Sequence, residues 1–404
     1  MGLAARILAA ALLCAAACAA AGLVAGAWVR AGCPGEASAA AADESPRAAL
    51  GRAIFFDARL SEPAGTSCAS CHDPARAFSG DHGSGVGVPA GSHPGVLARR
   101  ASPSLLYLKY VPRFRFYSDD GDAQGSEYAP HGGFFWDGRA DSIAELVRQP
   151  LLNPREMNNA DAAMIAKKLR HGPYADAFRR EFPGALDGDD GAVTALGVAL
   201  QAFLLSPSMA PFASKYDDYV RGKASFTAQE KRGLELFKDT KRTGCSTCHT
   251  LVDSVPNPER SLFTDFGYEA AGAPRNARAP GADGDDLGVC ERTDANNPSN
   301  DAQYCASFRT PSLRNVAVRK GLMHNGAFTS LRDVVKFYAT RATNPERWYP
   351  SGVAFDGTPA AYRGQVNTTV VPYNRRPGDA PVLDDGEIDA VVAFLGTLTD
   401  SPYR

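Results

Sequence analysis

The chain has 404 residues, of which 44% are hydrophobic and 22% are charged, and its 43 basic and 45 acidic residues leave a formal net charge of -2. This length allows two domains that each bury a core, while the near-neutral charge gives no reason to expect nucleic acid as a partner. The pair Arg99 and Arg100 is interpreted as solvated surface. Frequent proline and glycine, with little β-branched alternation, favour a mainly α-helical chain with long ordered loops.

Residues 1–45 form a separate N-terminal segment. An uncharged, alanine-rich run follows Arg6 and extends from Ile7 to Val29, which is typical of an export signal and places the protein in the periplasm. The run is also long enough to remain as a membrane anchor. Cleavage near residues 37–42 and retention both stay open, and a lipid attached to a cysteine of this segment is a third alternative that lacks a convincing lipobox.

Two pentapeptides, CASCH at 68–72 and CSTCH at 245–249, carry the clearest chemical signal. In C-x-x-C-H the two thiols can add to the vinyl groups of a haem, and the histidine can bind the iron. A zinc site of four cysteines would leave both histidines unexplained, and a thioredoxin-like dithiol needs a βαβ pattern that is absent. We therefore predict two covalently attached c-type haems, held by Cys68, Cys71 and His72, and by Cys245, Cys248 and His249.

The pentapeptides belong to an internal duplication. Three further blocks keep their order in both halves: GRAIFFD at 51–57 with GLELFKD at 233–239, SPSL at 102–105 with TPSL at 310–313, and DGRADSIAELV at 137–147 with NGAFTSLRDVV at 325–335. This repetition predicts two modules in tandem with a boundary near residues 219–230. The predicted domains are residues 46–222 and 223–404.

N-cap spacings and apolar stripes predict helices within both of these modules. Four polar residues, each followed three positions later by an acidic residue, have the spacing of an N-cap and its partner: Ser142, Thr227, Ser330 and Asp384. Two helical stripes of apolar residues are predicted to face a core: Val193, Leu196, Leu200 and Phe203, and Ile388, Val391, Val392 and Leu395.

Cys290 and Cys305 lie outside the pentapeptides and flank a polar loop. In an exported protein the pair is predicted to form a disulfide, with two separate buried thiols as the alternative.

Three features together resemble the bacterial diheme cytochrome c peroxidase superfamily, which includes the MauG-type enzymes. They are the two C-x-x-C-H sites, FWDGRADSIAELVRQPLLNPREM at 135–157 and FRTPSLRNVAVRKGLMHNGAFTSLRDVVKFY at 308–338. The likeness covers about residues 48–400 and implies two cytochrome c-like haem domains in tandem. It also implies that hydrogen peroxide reacts at the N-terminal haem, that the C-terminal haem handles electrons, and that Trp136 lies between them.

The resemblance assigns the distal acid to Glu156 of NPREM. Cleavage of a bound O–O bond requires a proton to move from the inner to the outer oxygen, which a carboxylate above the iron can do. An isolated glutamate is typical of a solvated surface, so the motif carries this assignment. For Trp136, the alternative is an indole that is buried at the edge of a core.

The sequence departs from the cytochrome-fed peroxidases at Tyr338. Where those enzymes carry an axial methionine on the second haem, this chain has a tyrosine, as MauG-type enzymes do. A phenolate is a hard anionic ligand that favours Fe(III), whereas a thioether favours Fe(II). A helix that buries Leu331, Val334 and Tyr338 on one face is compatible with ligation, because that face can be the wall of the haem pocket.

Three further positions bear on the comparison with this superfamily. His93 lies about where some relatives place a histidine that caps the resting N-terminal haem, although an ordinary loop histidine also fits. The family's distal glutamine is replaced by Leu146. The asparagine that precedes SP and binds an inter-haem calcium is Ala101 here, so a calcium ion is an open but weakly supported expectation.

These features predict an exported diheme oxidoreductase. Its function is either removal of hydrogen peroxide with electrons from a small periplasmic cytochrome or cupredoxin, or MauG-like oxidation of side chains on a partner protein. A plain diheme electron carrier is the third alternative, and it requires both irons to be permanently six-coordinate.

Overall fold

The computed structural model describes residues 44–117, 129–252, 257–279, 286–292 and 302–404. Residues 1–43, which carry most of the predicted export segment, lie outside this part of the chain. None of the described helices is long and apolar enough to cross a membrane.

The described chain is mainly helical, as predicted. Its α-helices are α1 Pro46–Phe55, α2 Cys68–Cys71, α3 Ile143–Leu152, α4 Ala162–Arg170, α5 Ala175–Glu181, α6 Asp189–Leu204, α7 Lys215–Val220, α8 Ala228–Lys238, α9 Cys245–Cys248, α10 Leu331–Thr340 and α11 Asp385–Gly396. Four short strands form two antiparallel pairs: β1 Arg115–Tyr117 with β2 Ala129–His131, and β3 Tyr268–Glu269 with β4 Phe308–Arg309.

Two helix pairs cross at equivalent glycines of the repeat. A Cβ added at Gly51 in α1 would lie 2.0 Å from the carbonyl oxygen of Ala199 in α6. A Cβ at Gly233 in α8 would lie 2.0 Å from the carbonyl oxygen of Ala390 in α11. Because no side chain fits at these distances, both crossings depend on glycine. The duplicated block thus makes the same helix contact in both halves.

Three phenylalanine rings pack beside each crossing. The sets are Phe55, Phe78 and Phe203, and Phe237, Phe263 and Phe394. Phe78 and Phe263 come from loops, and each has a ring centroid within 6.3 Å of both helix rings. Each aromatic pair contributes about 0.5–1.5 kcal/mol beyond the area that it buries, so the loops are held to the crossings.

Buried apolar side chains form two large clusters, one drawn from residues 50–209 and the other from residues 216–398. The predicted stripe on α6 lies in the first cluster, and the stripe on α11 packs in the second. Residues 44–404 form one compact unit, so the division into two domains at residue 222 stays a prediction.

The four predicted N-caps are confirmed. Ser142, Thr227, Ser330 and Asp384 each accept a hydrogen bond from the main-chain N–H three residues later. The acidic partner completes the capping box at Thr227 and Asp384. At Ser142 the capping box is not completed, because the Glu145 carboxylate accepts a hydrogen bond from the main-chain N–H of Asp141 and not from that of Ser142.

The two repeats also meet at the buried carboxylate of Asp400. Tyr107 and Asn315 occupy equivalent positions after SPSL and TPSL, and both have left-handed backbone with φ of 65° and 59°. The Tyr107 hydroxyl and the Asn315 amide each donate to Asp400 Oδ2 at 2.7 Å. One acidic side chain near the C-terminus therefore joins both repeats.

Cys290 and Cys305 form the predicted disulfide, with Cα atoms 5.1 Å apart. The alternative of two separate thiols is therefore wrong. Most of the polar loop between them, residues 293–301, lies outside the described part of the chain.

We expect Gly233→Ala to destabilise the protein by about 1–3 kcal/mol, because the added methyl group forces α8 and α11 apart. The matched control is Gly396→Ala on α11, where an added Cβ meets no atom within 4 Å and alanine favours the helix by about 0.5–1 kcal/mol. Urea unfolding of the two variants and the parent chain measures both effects. Equal midpoints for Gly233→Ala and the parent would contradict the crossing contact.

Candidate haem sites

Each pentapeptide folds as a single helical turn, α2 or α9, with its histidine at the C-terminal end. The four cysteines of these turns are free. His72 Nδ1 lies 3.1 Å from the carbonyl oxygen of Phe78, and His249 Nδ1 lies 2.9 Å from that of Phe263. A carbonyl oxygen only accepts, so each Nδ1 carries the proton and each Nε2 keeps its lone pair for an iron.

Burial keeps both imidazoles neutral. It lowers the pKa of His72 to about 4, and it lowers the pKa of His249 as well. The carbonyls of Pro103 and Pro311, which are equivalent in the repeat, also interact with His72 and His249, respectively. Each interaction raises the pKa of the imidazole and partly offsets the effect of burial. The repeat therefore gives both histidines the same neutral tautomer.

Phe78 and Phe263 are functional positions that the sequence analysis missed. Both have left-handed backbone, with a φ of 55°, which costs a bulky residue of the order of 1–3 kcal/mol. The rings of Phe78 and Phe263 are the ones that loops contribute to the two sets of three phenylalanines at the helix crossings. The interval from histidine to phenylalanine differs between the repeats, so no shared spacing marks these residues in the sequence.

Burial also raises the pKa of each pentapeptide thiol, to about 12 at Cys68, Cys71 and Cys248. A redox dithiol of the thioredoxin type depends on the opposite shift, towards a stable thiolate. The thiols of this chain therefore argue against the dithiol alternative.

A cavity of about 530 Å³ opens beside the second pentapeptide. We call it the second cavity. Its lining includes Cys245, Cys248, His249, Trp136 and Tyr338, and its volume lies within the range of cofactor sites, which is about 300–1,000 Å³. Two thiols, an imidazole with a free Nε2 and a largely apolar wall fit a covalently bound haem.

Tyr338 lies on α10 and faces the second cavity, as the ligand hypothesis requires. Its hydroxyl is 4.0 Å from the sulfur of Met323, and its ring stacks on Tyr373 at a centroid distance of 6.0 Å. Burial raises the pKa of the Tyr338 hydroxyl, which keeps the phenol protonated where no cation binds it. The structure thus brings Tyr338 and His249 to one cavity.

Glu156 follows α3 and lies close to the first pentapeptide. Its negative charge contributes to the raised pKa values of Cys68 and Cys71. Asn153 donates its side-chain N–H to Glu156 Oε1 at 2.7 Å. Burial raises the pKa of the Glu156 carboxyl, and the charge of Arg139 partly offsets this effect.

Trp136 lines the second cavity and is hydrogen-bonded to the segment formed by residues 101–103. Its indole N–H donates to the carbonyl oxygen of Ala101 at 2.8 Å, and the N–H of Ala101 donates to the carbonyl oxygen of His324 at 2.8 Å. Ser102 and Pro103, which follow Ala101, line the second cavity, and the Pro103 carbonyl also interacts with His72. Residues 101–103 therefore contact Trp136 and both haem sites.

The interpretation of Arg99 and Arg100 as solvated surface is wrong. The Arg100 side chain is only 9% exposed, and it binds Asp137 at 2.6 Å and Asp286 at 2.6 Å. Arg99 is 34% exposed and binds Glu291 at 2.7 Å. The acidic partners are distant in the sequence, so a local charge pattern could not reveal them.

His93 is exposed, and the structure places no haem-site residue against its imidazole among the described contacts. Its neighbour Ser92 donates its main-chain N–H to the Glu156 carbonyl oxygen at 2.7 Å. The loop that carries His93 therefore borders the first site, and a capping role for His93 stays a prediction.

Comparisons with known proteins agree with this geometry. The family model described as di-haem cytochrome c peroxidase matches residues 45–225. The chain is 37% identical to the methylamine utilization protein MauG of Paracoccus denitrificans over an alignment of 386 positions that covers 92% of each chain. It is 28% identical to the cytochrome c551 peroxidase of Pseudomonas aeruginosa, over 71% of this chain and 69% of the relative.

Among solved structures, the diheme peroxidase BthA of Burkholderia thailandensis is similar, with 48% identity and a TM-score of 0.82 over 89% of this chain and 87% of that one. Two C-x-x-C-H turns with equivalent histidine contacts are the features that a di-haem family requires. The chain therefore belongs to the di-haem cytochrome c peroxidase and MauG family, and it is an oxidoreductase whose family carries two haem groups.

Proposed function

We propose that this protein is an exported diheme c-type peroxidase that reacts with hydrogen peroxide at the N-terminal haem and relays electrons through the C-terminal haem. The connection of Trp136 to both sites through residues 101–103 carries this proposal. This hydrogen-bonded segment provides a short route for charge between the two sites.

In this proposal Cys68, Cys71 and His72 hold the first haem, and Cys245, Cys248 and His249 hold the second. Haem groups bound at the two sites would supply the peroxide-binding iron and the electrons for O–O cleavage. The protein contributes a neutral histidine with a fixed tautomer at each site, so neither ligand has to lose a proton before it binds.

Glu156 is proposed as the acid–base residue of the first site. Its raised pKa brings the carboxyl closer to neutral pH, where one group can both accept and donate a proton. The hydrogen bond from Asn153 orients one carboxylate oxygen and leaves the other free to receive the proton of peroxide. Leu146 cannot provide the amide that relatives have there, so Glu156 acts without that assistance.

Trp136 is proposed as the electron bridge. The indole lines the second cavity, and its N–H is fixed by a buried carbonyl, so the ring has one orientation. An aromatic ring between two haem sites shortens the distance that an electron must cross through saturated atoms.

A MauG-like oxidation of side chains on a partner protein is the second candidate, and Tyr338 favours it. A Tyr338 phenolate bound to the second iron would stabilise Fe(III) and higher states, which would suit storage of oxidising equivalents. For the peroxidase function, the proposed reductant is a small periplasmic cytochrome or cupredoxin. Turnover of peroxide with such a reduced donor separates the peroxidase from both a protein-modifying oxidase and a plain electron carrier.

We expect two haems per chain that survive extraction with acidified acetone. Replacing both Cys68 and Cys71 with alanine should leave one haem, because the remaining attachment site is intact. Pyridine haemochrome absorbance and the mass of the chain measure the count. The control is replacement of Cys290 and Cys305, which are bridged to each other and should leave two haems. A single attached haem in the parent protein would contradict the proposal.

We expect Glu156→Gln to keep both haem spectra and to slow the reaction with peroxide by at least the ~10²-fold typical of lost acid–base catalysis. The parent rate should fall as the pH falls through the raised pKa of Glu156, because the protonated carboxyl cannot accept the peroxide proton. This decline should be absent in the variant. Stopped-flow absorbance measures both effects.

Glu145→Gln is the matched control for Glu156, because Glu145 is exposed on α3, the helix that precedes Glu156. It should leave the rate near that of the parent. An unchanged rate in a folded Glu156→Gln protein would remove Glu156 from the mechanism.

We expect Tyr338→Met to raise the reduction potential of the second haem and to make the enzyme need prior reduction, because a thioether stabilises Fe(II). The diferric parent protein should react with peroxide directly. Potentiometric titration and peroxide kinetics check both statements. Tyr349→Phe is the control, since Tyr349 donates its buried hydroxyl to Gly272 without lining the second cavity.

A diferric parent that ignores peroxide, together with an unchanged low-spin spectrum in Tyr338→Phe, would make Tyr338 a packing residue. The axial ligand would then be Met323, His324 or a solvent molecule.

A further inference from the structure

Two arginines line the second cavity without an ion pair to any carboxylate among the described residues: Arg309 and Arg319. The Arg309 Nε donates to the carbonyl oxygen of Phe135 at 3.2 Å. The Arg319 Nη2 donates to the carbonyl oxygens of Ser312 and Arg314 at 2.8 and 2.6 Å. Main-chain carbonyls thus hold the two guanidinium groups in place. The charge of Asp137 acts favourably on Arg309 from a distance, whereas no carboxylate in the described part of the chain acts on Arg319.

Arg319 also has a buried donor that is not used. Its Nε is shielded from solvent and has no hydrogen-bond partner. Burial lowers the pKa of Arg319 to about 10, with no acidic group to offset the effect. A partly buried cation without a counter-ion is costly to the fold, so the presence of Arg319 in a cavity wall favours an anionic ligand.

The acidic residue of the cavity wall, Glu269, does not supply that counter-ion. Burial raises the pKa of the Glu269 carboxyl, and the side chain of Asn367, the nearby charge of Arg341 and the main chain of Ala270 partly offset this effect. Arg341 in turn donates to the carbonyl oxygens of Ala271 and Asn367. Glu269 therefore lies in a part of the cavity wall separate from Arg309 and Arg319.

The duplication shows that both arginines are specific to the second module. With SPSL aligned to TPSL, Arg309 corresponds to Ala101 and Arg319 corresponds to Val111. Val111 packs against the first hydrophobic cluster. A cation that only supported the common fold would be expected in both modules, whereas these two occur only beside the second cavity.

We infer that Arg319, with Arg309, forms a carboxylate-binding end of the second cavity and holds the propionate groups of the second haem. A guanidinium group provides a planar set of donors that matches a carboxylate, and the unused Nε of Arg319 would complete one such contact. The inference rests on the covalent haem proposed for the second module, and it adds the residues that orient that haem within the cavity.

The test compares Arg319→Met and Arg319→Lys in the haem-loaded protein. Methionine removes the charge and the donors, so the Fe(III)/Fe(II) equilibrium of the second haem should shift towards Fe(III) by about tenfold, which is ~59 mV for one electron. The propionate bending band in the resonance Raman spectrum should shift as well. Lysine keeps the charge but loses the planar donor set, so the Raman shift should persist while the potential changes less.

Two controls accompany the test. The first haem in the same protein should keep its potential in both variants. Arg375→Met should alter neither the reduction potential of the second haem nor its propionate Raman band. Arg375 also has a buried Nε without a partner, but it does not line the second cavity.

The outcomes separate this inference from the proposed function. A parent protein with one attached haem would overturn the proposed function itself. Two attached haems with unchanged Raman bands in Arg319→Met would overturn the arginine assignment alone. A potential that depends on the chloride concentration of the buffer would assign the arginines to a free anion instead of the propionates, which also overturns the inference.

Discussion

One hydrogen bond, repeated in both modules, sets the chemistry of each site: the imidazole Nδ1 donates to the carbonyl oxygen of a left-handed phenylalanine. The strain of about 1–3 kcal/mol in that backbone is offset by the ring of the same residue, since full burial of a phenylalanine contributes about 1.5–3 kcal/mol. The ring packs beside a helix crossing that only glycine permits. Helix packing therefore determines which imidazole nitrogen keeps its lone pair free.

The segment around Trp136 is held in a related way, by two adjacent contacts. Arg100 binds the carboxylate of Asp137, while Ala101 accepts the indole N–H of Trp136. Arg100 also binds Asp286, which lies just before the disulfide at Cys290. Rotation of the indole would break its hydrogen bond, and displacement of the segment would break a buried ion pair. The position of the proposed bridge is thus fixed from both sides.

Local patterns predicted much of this arrangement. The four N-caps, the apolar stripes and the disulfide follow from spacing and residue type, because each depends on neighbours within one turn or on a pair of cysteines. Arg100 and Phe78 escaped prediction for the opposite reason. The carboxylate partners of Arg100 lie 37 and 186 positions away, and the contribution of Phe78 is a main-chain carbonyl that any residue type possesses. Glu156, Trp136 and Tyr338 were identified through family resemblance, since their residue types alone do not distinguish them.

The duplication also has a thermodynamic consequence. Two identical modules would have equal electron affinities, and an electron would then move between them with no net preference. The repeats differ at three aligned positions: Ala101 is matched by Arg309, Val111 by Arg319, and Trp136 by His324. Two added cations and a changed aromatic side chain make the environments unequal. Copies that share a scaffold therefore need not share an electron affinity, because the charges beside their equivalent positions differ.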